Sequence, residues 1–599
     1  MPDVDAQRVP PHLIREELAR IEHAAAFRQS EQLRALLRHL VLRTLDGEGG
    51  RLKEMALGID VFRRPAGTFD PHKDPIVRVE AARLREKLAR YYAEEGWDAL
   101  VEVAVPVGTY QPEFRRRARP TQTGITIPSL IVLPVANMTG DDAQDAFCDA
   151  LTEELIETFA RLPGLKVIAR VTAFSFKARN EDVRTIGRKV GAATALEASV
   201  LQRGERVKAI AQLVQTSDGA HLWSRVFASD TADFSAFEEA LAGDIALALQ
   251  KQFSAHPSAH AWTAARRSLI RRGTADAGAR ALHDQARALL RKIRPSSQYR
   301  AIELFDEAAR LDPQFALAHS GAGAAWTNLA SLGAEPARRA NAAALAAAVR
   351  ALAIDPELHE ALSVRAYVTY RDGLDPAAAE PLYRQGLRLN PSATYLRLGL
   401  AWLLAYAGRF DAAREQFELV GEIDPLDGGL RHNLGHFLLV AREYEAAERE
   451  LLRVLEVEPE DISARLFLVE ALLASGRHAQ ALPEARHAHA AAPQLGATRG
   501  MLAIALWLNG ERAGADALVG ELEGGVNAES SGAVVMAMVH AMRGDRDRAF
   551  AWLDAAADAH DIHLVCVPTH PLLDALHGDS RWSPWLARRG LQGWAAKIR

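Results

Sequence analysis

The sequence predicts a three-part chain: a small helical unit with a β-ribbon, a central α/β domain, and an all-α repeat superhelix filling the carboxy-terminal half. Three observations carry this. Prolines recur every 34 residues from Pro391 to Pro493, with an alanine twelve residues before each. A short apolar strand pattern alternating with amphipathic stretches occupies residues 129–255. The first 117 residues carry helical apolar stripes followed by one alternating segment. The 599-residue length suits several domains, and 49% hydrophobic with 25% charged residues excludes a disordered or collagenous chain.

The repeat array is expected over 278–558. Prolines end helical segments at Pro313, Pro356, Pro391, Pro425, Pro459 and Pro493. Ala301, Ala344, Ala379, Ala413, Ala447 and Ala481 precede them, and Ala515 and Ala549 continue the step. A small side chain there lets two helices approach closely. Gly408, Gly476, Gly510 and Gly544 keep the same period, with Arg442 in the remaining slot, so each unit reads as helix, tight turn, helix, proline stop. The 43-residue gap from Pro313 to Pro356 predicts an insertion near Ser331–Asn341, and the tail 559–599 is expected to cap the stack. The units Gly408-Arg-Phe-Asp-Ala-Ala and Arg442-Glu-Tyr-Glu-Ala-Ala resemble the tetratricopeptide repeat, over about eight units. That resemblance implies a superhelix whose concave face takes a protein partner or peptide.

In the central region, Leu130 to Ala136 reads as a strand, 146–162 as a helix, Lys166–Ala169 as a second strand and Asp182–Gly191 as a second helix. Strands 194–202 and 207–216 then pair around Gly204-Glu205, and 234–253 closes as a helix, giving a βαβαββ order. Val132-Leu-Pro-Val-Ala-Asn, Leu151-Thr-Glu-Glu-Leu and Asp218-Gly-Ala-His-Leu-Trp-Ser resemble the TolB amino-terminal-like domain. The resemblance implies an assembly or signal-input module with no catalytic residue to carry over. His221 and Trp223 read as an edge aromatic beside a satisfied histidine. Residues 118–128 and 256–277 are expected to be a linker and a linker helix.

In the first unit, 1–117, Leu33, Leu36, Leu37, Leu40, Val41 and Leu45 mark one helix, Leu52–Phe62 a second, and 76–92 a third begun by Asp74 as N-cap with Pro75 at N1. Val77, Ala81, Leu84, Leu88 and Tyr91 form its inward stripe. That leaves Arg78, Arg83, Arg85, Lys87 and Arg90 for one exposed basic surface, a footprint for phosphates and base edges. Val101–Tyr110 alternates as a strand and turns at Gly108. Three helices and a β-wing form a winged-helix layout.

Val77-Arg-Val, Arg83-Leu-Arg-Glu-Lys-Leu and Val105-Pro-Val-Gly-Thr-Tyr resemble the winged-helix effector domains of response-regulator transcription factors, and 27–114 resembles the winged helix preceding TolB-like and tetratricopeptide regions in bacterial proteins. The resemblance implies DNA contact by residues 75–114 through Arg78, Arg83, Arg85, Lys87 and Arg90, with Thr109 and Tyr110 on the wing. Val107 stands where relatives carry Lys, and the small amino-terminal sheet of response regulators is missing from 1–27.

Residues 1–120 hold 21 Lys and Arg against 19 Asp and Glu, within a chain of net charge -5, so any attraction for nucleic acid is local. Cys148 and Cys566 form no CxxC or metal pattern. His432 and His436 lie at i and i+4 on a repeat helix without a following Glu, and Glu153 and Glu154 adjoin and diverge. Neither pair predicts a metal or catalytic site, and no phosphate-loop or nucleophile-elbow motif occurs. Some proteins of this organisation carry an adenylate cyclase name because they join these regions to a cyclase domain, and no segment here supplies one. The expected function is a cytoplasmic, signal-responsive DNA-binding regulator, neither an enzyme nor a cofactor binder, with homodimerisation as a further expectation. The alternative is a scaffold that binds partner proteins through the repeats without DNA. No stretch is long and apolar enough to span a bilayer.

Overall fold

The computed structural model describes residues 11–594 except 25–26, 28–29, 66–67, 72, 95–98, 100, 107, 117–127, 142–143, 178, 180, 204–205, 231–233, 254–261, 263–272 and 526–531. Val107, the Gly204-Glu205 turn, nearly all of the 118–128 linker and most of 256–277 therefore lie outside the described residues. The chain divides into two compact units, 1–126 and 127–599.

Among the described residues the first unit holds four α-helices, one more than the sequence predicts: α1 (Pro11–His23), α2 (Glu31–Leu45), α3 (Glu54–Asp60) and α4 (Ile76–Glu94). The unforeseen α1 buries Ile14, Leu18 and Ile21, a one-sided stripe, against the same core as Leu36, Leu40 and Leu84. On α2 the expected stripe is buried except for Leu45, which packs at the core's margin. All five stripe residues of α4 are buried. Asp74 accepts from the Ile76 N–H at 3.2 Å and from Arg64 Nε at 2.8 Å, so the helix starts where the capping residue places it. Strand β1 (Val101–Ala104) pairs antiparallel with β2 (Glu113–Arg116), and the Val103 N–H donates to the Tyr92 hydroxyl at 2.7 Å, tying the ribbon to α4.

The second unit begins with β3 (Ser129–Val132), β4 (Ala136–Asn137), α5 (Asp145–Ala160), β5 (Lys166–Val167), α6 (Arg170–Phe174), α7 (Val183–Val190), β6 (Thr194–Arg203), β7 (Arg206–Gln215), β8 (His221–Asp230) and α8 (Phe234–Gln252). The sheet runs β5-β3-β6-β7-β8, parallel from β5 to β6 and antiparallel beyond, with β4 beside β6. The βαβαββ order is thus corrected by a third meander strand. His221 is exposed at the start of β8, while Trp223 packs beside Phe227 against the core. Trp262, fully buried, donates from Nε1 to the Pro163 carbonyl at 2.7 Å and pins part of the predicted linker helix to this domain.

Among the described residues, eight helix pairs follow. The A helices are α9 (Ala277–Leu290), α11 (Ala316–Ser331), α13 (His359–Arg371), α15 (Thr394–Tyr406), α17 (Gly428–Val440), α19 (Ile462–Ala474), α21 (Gly496–Leu508) and α23 (Ala533–Met542). The B helices are α10 (Pro295–Leu311), α12 (Ala337–Ile354), α14 (Pro376–Leu389), α16 (Phe410–Ile423), α18 (Tyr444–Val457), α20 (His478–Ala491), α22 (Arg512–Gly525) and α24 (Arg546–Asp558). Each of the eight register alanines, Ala301 to Ala549, is fully buried between paired helices. Gly408, Gly476, Gly510 and Gly544 sit at φ between 69° and 87°, Arg442 takes the same left-handed turn at 64°, and Leu374, one slot before Gly408, does so at 50°. The predicted insertion is not a loop. It is spent largely on helix, since α11 and α12 run 16 and 18 residues against 13 and 14 in α13 and α14.

Each A helix packs on its own B partner and also on the neighbouring A helices, so the A helices form the inner wall of the superhelix.

Candidate functional site

Helix α4 carries the predicted basic residues, and the structure does not gather all five on one surface. Arg83, Lys87 and Arg90 fall at i, i+4 and i+7 and share a face. With Glu80 and Glu86 they line a cleft against the first turn of α2, Ser30 to Leu33. Lys87 Nζ donates to Ser30 Oγ at 2.6 Å, Arg83 pairs with Glu80 at 2.7 Å, and Arg90 is exposed. The Ser30 side chain makes no cap hydrogen bond to its own helix.

Arg78 and Arg85 lie on the opposite flank. Arg78 pairs with Glu54 at 2.9 Å and donates to the Pro71 carbonyl. Arg85 donates from Nε to the Val105 carbonyl at 2.8 Å and from Nη2 to the Pro106 and Thr109 carbonyls at 3.1 and 3.2 Å. Arg85 therefore holds the ribbon loop, and its guanidinium faces backbone. Thr109 is exposed on that loop and its hydroxyl accepts from the Gln111 N–H. Tyr110 is half-buried against the core, where burial pushes its phenol up.

The second candidate surface, the inner wall of the repeat array, is occupied by the chain itself. Beyond α24 the tail makes short 3-10 turns at Ile562–Cys566, Pro571–Leu576 and Gln592–Trp594 around α25 (Trp582–Arg588). It folds back along the A helices instead of only capping the last pair. Arg371, at the end of α13, donates to the Ile562 carbonyl at 3.0 Å with its guanidinium among Tyr367, Tyr370 and Tyr406. Arg442 reaches Asp574 at 2.6 Å, His570 lies 3.3 Å from Glu470 on α19, and Trp594 Nε1 donates to the Leu374 carbonyl at 3.3 Å. Leu572, Leu573, Leu576, Trp585 and Trp594 are buried in one continuous core with the A helices.

At the other end, the α/β domain is bonded to the loops between repeats. The Ala169 N–H donates to the Ile423 carbonyl at 2.8 Å, the Thr172 N–H to Asp424 Oδ1 at 3.0 Å, and the Val167 N–H to Ser392 Oγ at 3.1 Å. Glu153 on α5 meets Arg170 at 2.7 Å and Arg291 at 3.3 Å. The two parts that the sequence treats as separate domains thus form one compact unit.

His432 and His436 are each engaged by neighbouring side chains. His436 is sandwiched between Trp402 and Phe467 at 4.5 and 3.9 Å, and burial with neighbouring imidazoles pushes its pKa well below the ordinary value. His432 pairs with Asp461 at 3.4 Å. Both cysteines are buried, and burial raises their thiols to about 11 for Cys148 and about 12 for Cys566. Sequence reasoning missed Arg371 and the inward course of the tail. The signal present was its density of tryptophan and leucine past the last repeat, more apolar bulk than an end cap needs.

A family model described as tetratricopeptide repeat matches residues 374–434. A Rhizobium meliloti protein that carries an adenylate cyclase name is 30% identical over 226 residues, which is 37% of this chain and 37% of that protein. Among solved structures, a tetratricopeptide repeat protein from Parabacteroides merdae is 15% identical over 46% of this chain and all of that one, with a TM-score of 0.34. Yeast Tom70 is 16% identical over 53% of this chain and 69% of its own, with a TM-score of 0.35. Among the described residues, no helix is long and apolar enough to cross a membrane.

Proposed function

We propose that this chain is a non-enzymatic, cytoplasmic regulator whose first unit grips a DNA duplex through Arg83, Lys87 and Arg90 in a winged-helix mode, while the second unit serves as a protein-interaction scaffold. The single observation that carries the DNA reading is the cleft between α4 and the first turn of α2. Three cationic side chains line it together with Glu31, Glu80 and Glu86, at a helix start whose N–H groups have no side-chain cap from Ser30, and the cations and the helix start favour a phosphate. The scaffold reading rests on the tetratricopeptide match and the eight helix pairs. A groove-bound peptide is the weaker form of that reading, because the chain's own tail lines the inner wall from α13 to α23. The partner therefore has to use the outer B-helix face, the α/β domain, or the wall near α9 and α11.

The test is duplex binding by the full chain, followed by fluorescence anisotropy, for wild type and an Arg83→Ala, Lys87→Ala, Arg90→Ala triple variant. Loss of binding in the triple variant supports the reading. A variant that binds as tightly as wild type overturns it and leaves the scaffold alone.

A further inference from the structure

We infer that Val79 and Glu86, on the outward line of α4, set the base preference of the duplex site, Val79 against the 5-methyl group of a thymine and Glu86 accepting from the N4 amine of a cytosine. This rests on the DNA reading above and goes beyond its phosphate contacts.

Along α4, Val79, Ala82 and Glu86 fall at i, i+3 and i+7 and share one line, with Arg83, Lys87 and Arg90 on the row beside it. All three residues of that line are exposed. Val79 leaves 42% of its surface in water although it is apolar. It has no part in the core, because Val77, Ala81 and Leu84 fill the buried side of the helix. On the far flank, Arg78 is held by Glu54 and Arg85 by the ribbon carbonyls. The outward line therefore runs between a row of cations and a flank given over to structure.

A helix laid in a major groove turns its outermost line to base edges and its flanking row to the phosphates. Valine has no hydrogen-bonding side-chain atom, and thymine is the base that offers an apolar group in that groove, so the methyl is what Val79 can recognise. Ala82, short and uncharged, keeps the line low enough for close approach.

The two carboxylates of this surface differ in state. Glu80 is nearly buried and paired with Arg83 at 2.7 Å, whereas Glu86 is exposed and makes no ion pair among the described residues. A phosphate repels such a group, and a base-edge amine satisfies it. Cytosine N4 is the donor that carboxylates read in the major groove.

The experiment is selection by the full chain from a random-sequence duplex pool, followed by anisotropy on the recovered duplex with uracil in place of thymine. Wild type should recover a consensus containing T and C, and should lose about fourfold in affinity for each contacted methyl removed, the value of one buried methylene-sized group. Val79→Ser, at an exposed position, should bind the thymine and uracil duplexes equally and keep the wild-type salt slope. Glu86→Gln should exchange a selected C for A, since a carboxamide pairs with adenine N6 and N7. A wild type that binds no duplex overturns the DNA reading and this assignment with it. A wild type that binds but selects no sequence, or binds the uracil duplex as tightly, overturns the base assignment alone, as does a thymine preference that survives Val79→Ser.

Discussion

Salt dependence gives the sharpest test of the basic cleft. If Arg83, Lys87 and Arg90 each neutralise one phosphate, the slope of log affinity against log salt for a B-form duplex is about -2.7, since each contact contributes about -0.9. Raising salt from about 50 to about 200 mM should then weaken binding about 40-fold. The assay is anisotropy of a labelled duplex at four salt concentrations, with wild type, the triple alanine variant and an Arg78→Ala, Arg85→Ala pair. The triple variant should lose about 2.7 from the slope. The Arg78, Arg85 pair should keep it, because one guanidinium is held by Glu54 and the other by the ribbon carbonyls. An equal loss of slope in both variants, or an unchanged slope in the triple, would refute the division of α4 into a binding face and a structural flank.

Three further outcomes follow from the second unit. Arg442 keeps a left-handed turn where four glycines do the same work, and it reaches Asp574 on the tail. Arg442→Gly should therefore be nearly neutral in thermal unfolding of wild type but stabilising by about 1 kcal/mol in an Asp574→Ala background, where only the backbone cost remains. Finding the same effect in both backgrounds would show that the pair contributes nothing.

His436 is half-buried between Trp402 and Phe467, and its pKa is lowered, so the unfolded chain binds a proton there before the folded one does. Stability is fully present above about pH 6.5 and should fall as pH drops below it, by up to about 1.4 kcal/mol per pH unit from this group. His436→Phe should flatten that part of the profile, read by thermal melts from pH 7.5 to 5. Cys148 and Cys566, raised to about 11 and about 12, should resist a thiol reagent at pH 8 in the native protein and react on unfolding in urea. Rapid native labelling of either would contradict their burial.

Much of the architecture was legible because it is written in local periodicity. A 34-residue step forces the same helix contact at each alanine, so Ala413, Ala447 and Ala481 could be named as buried before any coordinates. The inward stripe of α4 follows equally from a 3.6-residue turn. So does the separation of Arg78 and Arg85 from Arg83, Lys87 and Arg90, which the reading of one basic surface passed over. Helix α1 was missed because its short stripe stands between Pro11 and the run Ala24-Ala-Ala, with no capping signal to announce it. Strand β8 was missed because His221 to Asp230 mixes polar and apolar residues without clean alternation, as an edge strand with partial cover does.

What the amino-acid sequence determines by itself is which segments are helix or strand, where the repeats begin and turn, and which small residues lie between paired helices. These are consequences of backbone geometry within a few tens of residues. Only the tertiary structure decides that the tail enters the inner wall, that β5 and α6 meet the loops at Ser392 and Asp424, and that His359 lies near Glu157. Those contacts join residues some 200 positions apart. Their partners are chosen by the curvature of the stacked pairs, a sum of small rotations that no single repeat encodes.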